Sequence, residues 1–156
     1  MIGTMNRSMI FAIGVPALLI ATISAAVQDR FPEGPGKAEL LKVCSECHEA
    51  ETVFAHPQTA GAWSGTLEKM GQLGTEATDN EWRLLEQYID AQLAMIPVNA
   101  AMSDELQRTF EIDAPAAQAI VKYRQEKGKF KSIDDVKKVS GLDAAKVDAR
   151  KDRLIF

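Results

Sequence analysis

Two cysteines, two histidines and an aromatic share of only 6% narrow what a chain of 156 residues can do. With no second C-x-x-C and no H-x-x-x-H, the ligand set of a structural zinc site is incomplete. No strand pattern surrounds the cysteines at 44 and 47, which argues against the βαβ setting of a thioredoxin-like dithiol. A disulfide across the two residues between them would remove little unfolded-state entropy. The 46% hydrophobic and 26% charged residues suit one or two compact domains rather than extensive disorder, and they leave no room for a large catalytic core.

The net charge of −4 hides an asymmetry. Residues 27–97 carry 5 Lys+Arg against 12 Asp+Glu, a balance of −7, while residues 98–156 carry 12 against 10, a balance of +2. Such a break points to two modules, one acidic and one weakly basic. Residues 1–26 read as an export segment. Arg7 is followed by a nearly continuous apolar stretch from Met9 to Ile23, and Ser24, Ala25 and Ala26 offer a small-residue cleavage site. The alternative is a retained membrane anchor, since the apolar run is close to the lower length limit for spanning. Pro32, Gly34, Pro35 and Gly36 then mark a flexible lead-in over residues 27–36.

Cys44-Ser45-Glu46-Cys47-His48 is the C-x-x-C-H arrangement of c-type haem attachment. Leu40, Leu41, Val43, Cys44 and Cys47 give residues 37–48 an apolar helical face, and on one helix thiols three residues apart lie together. Both could then reach the vinyl groups of a single porphyrin, with the imidazole of His48 offered to the iron. The expectation is one covalent haem c, bound by Cys44 and Cys47 with His48 as the proximal iron ligand.

Residues 58–73 read as a helix with Trp63, Leu67 and Met70 at i, i+4 and i+7. Met70 faces inward, as core filler or as the distal iron ligand; His56, Met95 and Met102 are the other candidates. His56 precedes Pro57 only a few residues after His48, a short reach to the opposite haem face, so Met70 is preferred. Thr78-Asp79-Asn80-Glu81 fits a capping box, followed by Trp82, Leu85, Ile89 and Leu93 on one face until Pro97. Together with Trp63, Met70, Gly74, Trp82 and Tyr88, the C-x-x-C-H motif resembles the short class I type cytochrome c domains of bacterial periplasmic electron-transfer proteins, over about residues 37–96. The resemblance implies Met70 as the distal ligand. A filled sixth position leaves no place for a substrate, which implies an electron carrier and not an enzyme.

Residues 98–156 contain a weak internal repeat, Phe110-Glu111-Ile112-Asp113-Ala114-Pro115-Ala116 and Val139-Ser140-Gly141-Leu142-Asp143-Ala144-Ala145, each between helical stretches. Ser103 with Asp104 and Glu105 opens one helix, Pro115 begins a second that Gly128 closes, and Ser132 and Asp143 cap two more. Val98-Asn99-Ala100-Ala101, Glu105-Leu106, Ala119-Ile120-Val121, Tyr123-Arg124, Gly128, Phe130-Lys131-Ser132 and Gly141 make this segment resemble the helix-hairpin-helix domain of the ComEA type, known from DNA uptake proteins. That resemblance implies phosphate-backbone binding through glycine-rich turns. The turns here depart from it, reading Glu111-Ile112-Asp113 and Gly141-Leu142-Asp143. Lysines 122, 127, 129, 131, 137, 138, 146 and 151 could still attract DNA nonspecifically.

The expected fold is therefore all-α: an export segment at 1–26, a linker at 27–36, a cytochrome c domain at 37–97 and a helix-hairpin-helix domain at 98–156. The expected function is a periplasmic single-electron carrier whose second module docks redox partner proteins of the cell envelope, with membrane contact only through a retained residues 1–26. The alternative is a DNA-binding protein in which the haem is a redox sensor or structural staple.

Overall fold

Thr59, Thr78, Asp113, Ser132 and Asp143 each start a helix by one device, a side-chain oxygen that accepts a backbone N–H of the first turn. The computed structural model describes residues 30–156, so the export segment expected at 1–26 lies outside the described residues. Pro32–Phe156 forms one compact unit. Its elements are α1 (Lys37–Cys44), α2 (Thr52–Ala55), α3 (Ala60–Gln72), α4 (Asp79–Tyr88), a π-helical turn (Ile89–Leu93), β1 (Ile96–Pro97), α5 (Ser103–Phe110), α6 (Ala114–Lys127), α7 (Ile133–Lys137), α8 (Ala144–Asp148), a 3₁₀ turn (Lys151–Arg153) and β2 (Leu154–Ile155). The described chain is thus mostly helical, as expected, and the strands are two residues each. They pair in parallel, Ile96 with Leu154 and Pro97 with Ile155.

One helical expectation fails. The apolar pattern over residues 37–48 overruns the real helix, which ends at Cys44: Ser45 N donates to Leu41 O at 3.2 Å and the chain turns away. Cys47 and His48 therefore lie outside the helix, and the two thiols do not share a helical face. Cys44 is buried and Cys47 exposed.

The first helix starts where it crosses α4. Gly36 sits at φ 91° with its Cα so close to α4 that a Cβ there would meet the Leu84 carbonyl oxygen at 2.2 Å and Tyr88 Cβ at 2.7 Å. Only glycine allows both the left-handed backbone and this approach. Tyr88, itself buried, donates its hydroxyl to Pro32 O at 2.6 Å. The capping box of α4 is formed as the sequence suggests, with Thr78 Oγ1 accepting from Glu81 N and the Glu81 carboxylate accepting from Thr78 N.

The π-helical turn carries the chain from α4 into the second half. Its wider turn closes through an Ala94 N to Ile89 O bond at 2.8 Å, and it buries Ile89 and Asp90. Two arginines from distant sequence meet this turn. Arg108 pairs with the Asp90 carboxylate at 2.7 Å, and Arg153 donates to the carbonyls of Ala91 at 2.7 Å, Ala94 at 3.1 Å and Asp90 at 3.3 Å. Carbonyls left orphaned at a helix C-terminus are thus satisfied by a guanidinium fork. Beyond the turn, Ile96, Val98, Leu106, Phe110, Ile120, Phe130, Val136 and Val147 build one apolar core. Tyr123 stacks on Phe130 at its margin, with ring centroids 5.0 Å apart.

Candidate nucleic-acid interface

The internal repeat becomes a repeated backbone shape. Glu111 ends α5 at φ 52° and ψ 48°, and Gly141, its counterpart in the second hairpin, lies at φ 81°. Each is followed by an apolar residue turned toward the core, Ile112 and Leu142, and then by an aspartate that opens the next helix. Two helix-hairpin-helix units result, α5–α6 and α7–α8. Glu111 is the one non-glycine residue with positive φ among the described residues, and it occupies that strained conformation because the fold calls for the same turn twice. Its alignment with Gly141 was the signal available in the sequence.

At each turn one amide of the following helix is taken by the aspartate that opens it. Asp113 Oδ1 accepts from Ala116 N at 3.0 Å, and Asp143 Oδ1 accepts from Ala145 N at 2.8 Å. The helix N-termini that could otherwise take a phosphate are occupied in part by the protein's own carboxylates. Glu111 adds a third carboxylate, tied to Arg150, while its carbonyl accepts from Lys146 Nζ. Arg150 is buried and also donates to Thr109 O at 2.8 Å.

Most of the cations of the second half are similarly engaged. Arg124 donates to the carbonyls of Val98 and Ala101, both at 2.8 Å. Lys122 pairs with Glu126 at 3.8 Å, Lys137 with Asp148 at 2.5 Å and Lys138 with Asp135 at 2.9 Å. The hydrogen bond from Lys138 holds the Asp135 carboxyl below its ordinary range and raises the lysine in return. Lys127, Lys129, Lys131 and Lys151 remain exposed, and no carboxylate pairs with their ammonium groups among the described residues, although Lys131 N donates to Asp135 Oδ2 at 3.0 Å. Lys127 ends α6, and Lys129 and Lys131 lie on the loop that joins the two hairpin units.

Of the residues expected to hold haem, Cys44, Cys47, His48 and Met70 line one apolar hollow together with Leu67, Trp82 and Leu85. Cys44, His48 and Met70 also border an adjoining one with His56 and Trp63. His48 is exposed, with Nδ1 3.0 Å from Glu49 O. Burial pushes the Cys44 thiol up to about 11, so it is protonated at neutral pH. Met95, another distal candidate, lies on a bridge to Thr59, and Met102 is exposed. Among the described residues no group of three or more His, Cys, Asp and Glu is placed to hold a metal ion.

Residues 92–155 match the family model of the helix-hairpin-helix motif. The chain is 41% identical over 49 residues to ComE operon protein 1 of Bacillus subtilis, covering 31% of this chain and 24% of that protein. It is 35% identical over 60 residues to an uncharacterized protein of Haemophilus influenzae, covering 38% of this chain and 54% of that protein. The chain thus spans between about a quarter and about half of the length of these curated relatives. No solved structure matches.

These findings overturn the reading of the chain as a single-electron carrier. The similarity they identify is to helix-hairpin-helix proteins, and neither these matches nor the described side chains support the expected haem c. The expected cytochrome fold of the first half goes unsupported by the same comparisons, while that half is helical. Residues 92–155 are a helix-hairpin-helix domain, resembling the ComEA type by their similarity to ComE operon protein 1.

Proposed function

We propose that this protein binds duplex DNA through its helix-hairpin-helix domain, by contacts to the phosphate backbone that do not depend on base sequence. The observation that carries the reading is the pair of matched hairpins, with Glu111 and Gly141 in the same left-handed step, inside the segment 92–155 that fits the helix-hairpin-helix family. The charge balance of +2 over residues 98–156 supports it, set against −7 over residues 27–97. A polyanion would be drawn to the second half and repelled by the first, which orients the protein on DNA. The role is binding rather than catalysis. The export segment read over residues 1–26 would place this binding in the cell envelope, and among the described residues no helix is long and apolar enough to cross a membrane.

Gel-shift titration of the whole protein against a duplex of arbitrary sequence tests the proposal. Binding is expected with a Kd on the order of 1–100 μM near physiological salt, weakening steeply between about 50 mM and about 200 mM salt. Two unrelated duplex sequences should bind alike. Absence of any shift at the lower salt concentration would rule the reading out.

A further inference from the structure

The hairpin turns are the expected phosphate contacts of such a domain, yet here each is occupied in part by the protein's own carboxylate. Asp113 and Asp143 accept the amides of their own helices, and Glu111 puts a third carboxylate beside the first turn. The Asp113 and Asp143 carboxylates at the two turns oppose a phosphate electrostatically, and the Glu111 carboxylate is already paired with Arg150. The lysine nearest that turn, Lys146, is held by the Glu111 carbonyl.

The free positive charge is elsewhere. From the last residue of α6 the chain reads Lys127-Gly128-Lys129-Phe130-Lys131-Ser132, and its three lysines are exposed while Phe130 is buried. Phe130 is pinned: its N–H and C=O are both bonded to the Asn99 side chain, at 2.8 and 2.9 Å. A buried residue held between two exposed ones forces the flanking lysines outward, the alternation of an extended segment. Gly128, at φ 89°, turns the chain out of α6 so that Lys127 and Lys129 bracket the bend. Lys129 and Lys131 border a cleft with Asn99 and Ala100. The backbone of the loop is therefore positioned by the core while its charges remain unspent. The loop also lies at the far end of α6, about 20 Å along the helix axis from the first hairpin.

We infer that the principal phosphate-binding element of this domain is the end of α6 with the loop that follows it, bearing Lys127, Lys129 and Lys131, and not the two hairpin turns. The inference rests on the DNA-binding reading above and says where on the domain that binding occurs. The ligand is the phosphodiester backbone of a duplex, contacted by mobile ammonium groups on a fixed loop. The alternative occupant, an acidic polypeptide, is an outcome of the test.

The experiment compares the native chain, the loop variant K127Q/K129Q/K131Q and the hairpin variant K146Q/K151Q by fluorescence anisotropy with a labelled duplex, over about 50–200 mM salt. Each lost phosphate contact removes about 0.9 from the slope of log K against log salt, so the loop variant should lose between about 2 and 3 from that slope and bind at least about fiftyfold more weakly at the middle of the range. The hairpin variant should change affinity less than about fivefold. Lys127, Lys129, Lys131 and Lys151 are exposed and Lys146 is half-buried, and matching thermal unfolding curves would exclude misfolding as the cause. Native binding with an unchanged loop variant would overturn the inference while leaving DNA binding intact. A native chain that fails to bind at low salt would instead sink the DNA reading itself, and the inference with it. Polyglutamate that displaces the duplex at equal charge concentration would also overturn the inference, by making the loop a site for acidic polypeptide.

Discussion

Asn99 and Phe130, thirty-one positions apart, exchange two hydrogen bonds: Asn99 Nδ2 donates to Phe130 O at 2.9 Å and Phe130 N donates to Asn99 Oδ1 at 2.8 Å. A side-chain amide here does what a neighbouring strand would do, satisfying both backbone groups of a buried residue. Removing it leaves a donor and an acceptor without partners at the edge of the core. Asn99→Ala is expected to cost about 2–3 kcal/mol, read from urea unfolding. Asn99→Asp keeps the bond from Phe130 N and should cost less. Equal stability of the native and alanine proteins would mean that water replaces the amide without loss.

Gly36 makes a second sharp test, because its constraint has two independent parts. The backbone is left-handed at φ 91°, and the missing Cβ would lie 2.2 Å from Leu84 O, a backbone atom that cannot swing aside. Gly36→Ala should cost about 3 kcal/mol or more, combining conformational strain with overpacking between α1 and α4. Gly74, at φ 100°, has open space around its Cα. Gly74→Ala should therefore show only the conformational part, about 1–2 kcal/mol. Comparable losses at the two sites, measured by thermal unfolding, would remove the case for a close helix crossing.

What could be read from the sequence was what is local. The capping box at Thr78 and Glu81 spans four residues and is formed as the pattern implies, and Ser132 and Asp143 cap the helices they precede. Apolar periodicity located α3 and α4 within a few residues. It overran at Cys47 because an apolar residue at helical spacing looks the same whether the chain continues the helix or turns after Cys44. The lysines were visible as a list, yet which of them are spent depends on partners such as Asp148 for Lys137 and the Glu111 carbonyl for Lys146. Arg153 closing the carbonyls of Asp90, Ala91 and Ala94 spans some sixty residues, and no local pattern announces it. The functional weight placed on Cys44-x-x-Cys47-His48 came from its spacing, the export segment and a resemblance over about residues 37–96, whereas the hairpins had a further signal in their repetition.

Acid should loosen the contact between α1 and α4 through one carboxylate. Glu81 accepts from Lys42 Nζ on α1, from Thr78 N at 2.8 Å and from Thr78 Oγ1 at 2.7 Å. The lysine hydrogen bond first, and then the threonine bonds, hold its carboxyl down at about 2, against an ordinary 4.5. A folded-state value below the unfolded one means that the charged form stabilises the fold above about 4.5 and that this contribution is lost as pH falls toward 2. Glu81→Gln should therefore be less stable than the native protein at neutral pH, with the gap closing in acid. Urea midpoints across this range check it, and a gap that persists unchanged at the acid end would place the stabilisation somewhere other than the ionised carboxylate.

The two thiols should behave as unlike groups. Cys44, 7% exposed at the end of α1, is surrounded by apolar atoms, and that burial pushes its thiol up to about 11. Little thiolate forms at pH 8, and the little that forms is covered. Cys47, three residues on but past the end of the helix, is exposed. An aromatic disulfide reagent added to the folded protein should react with Cys47 quickly and with Cys44 more slowly by a factor on the order of 100 or more, since the second reaction waits for local opening. Cys47→Ser should abolish the fast phase and leave the slow one, and Cys44→Ser should do the reverse. In denaturant both thiols should titrate together, two per chain. Equal rates in the folded protein would mean that α1 does not seal its last residue, and the hollow beside Met70 would then be open to solvent from the helix side as well.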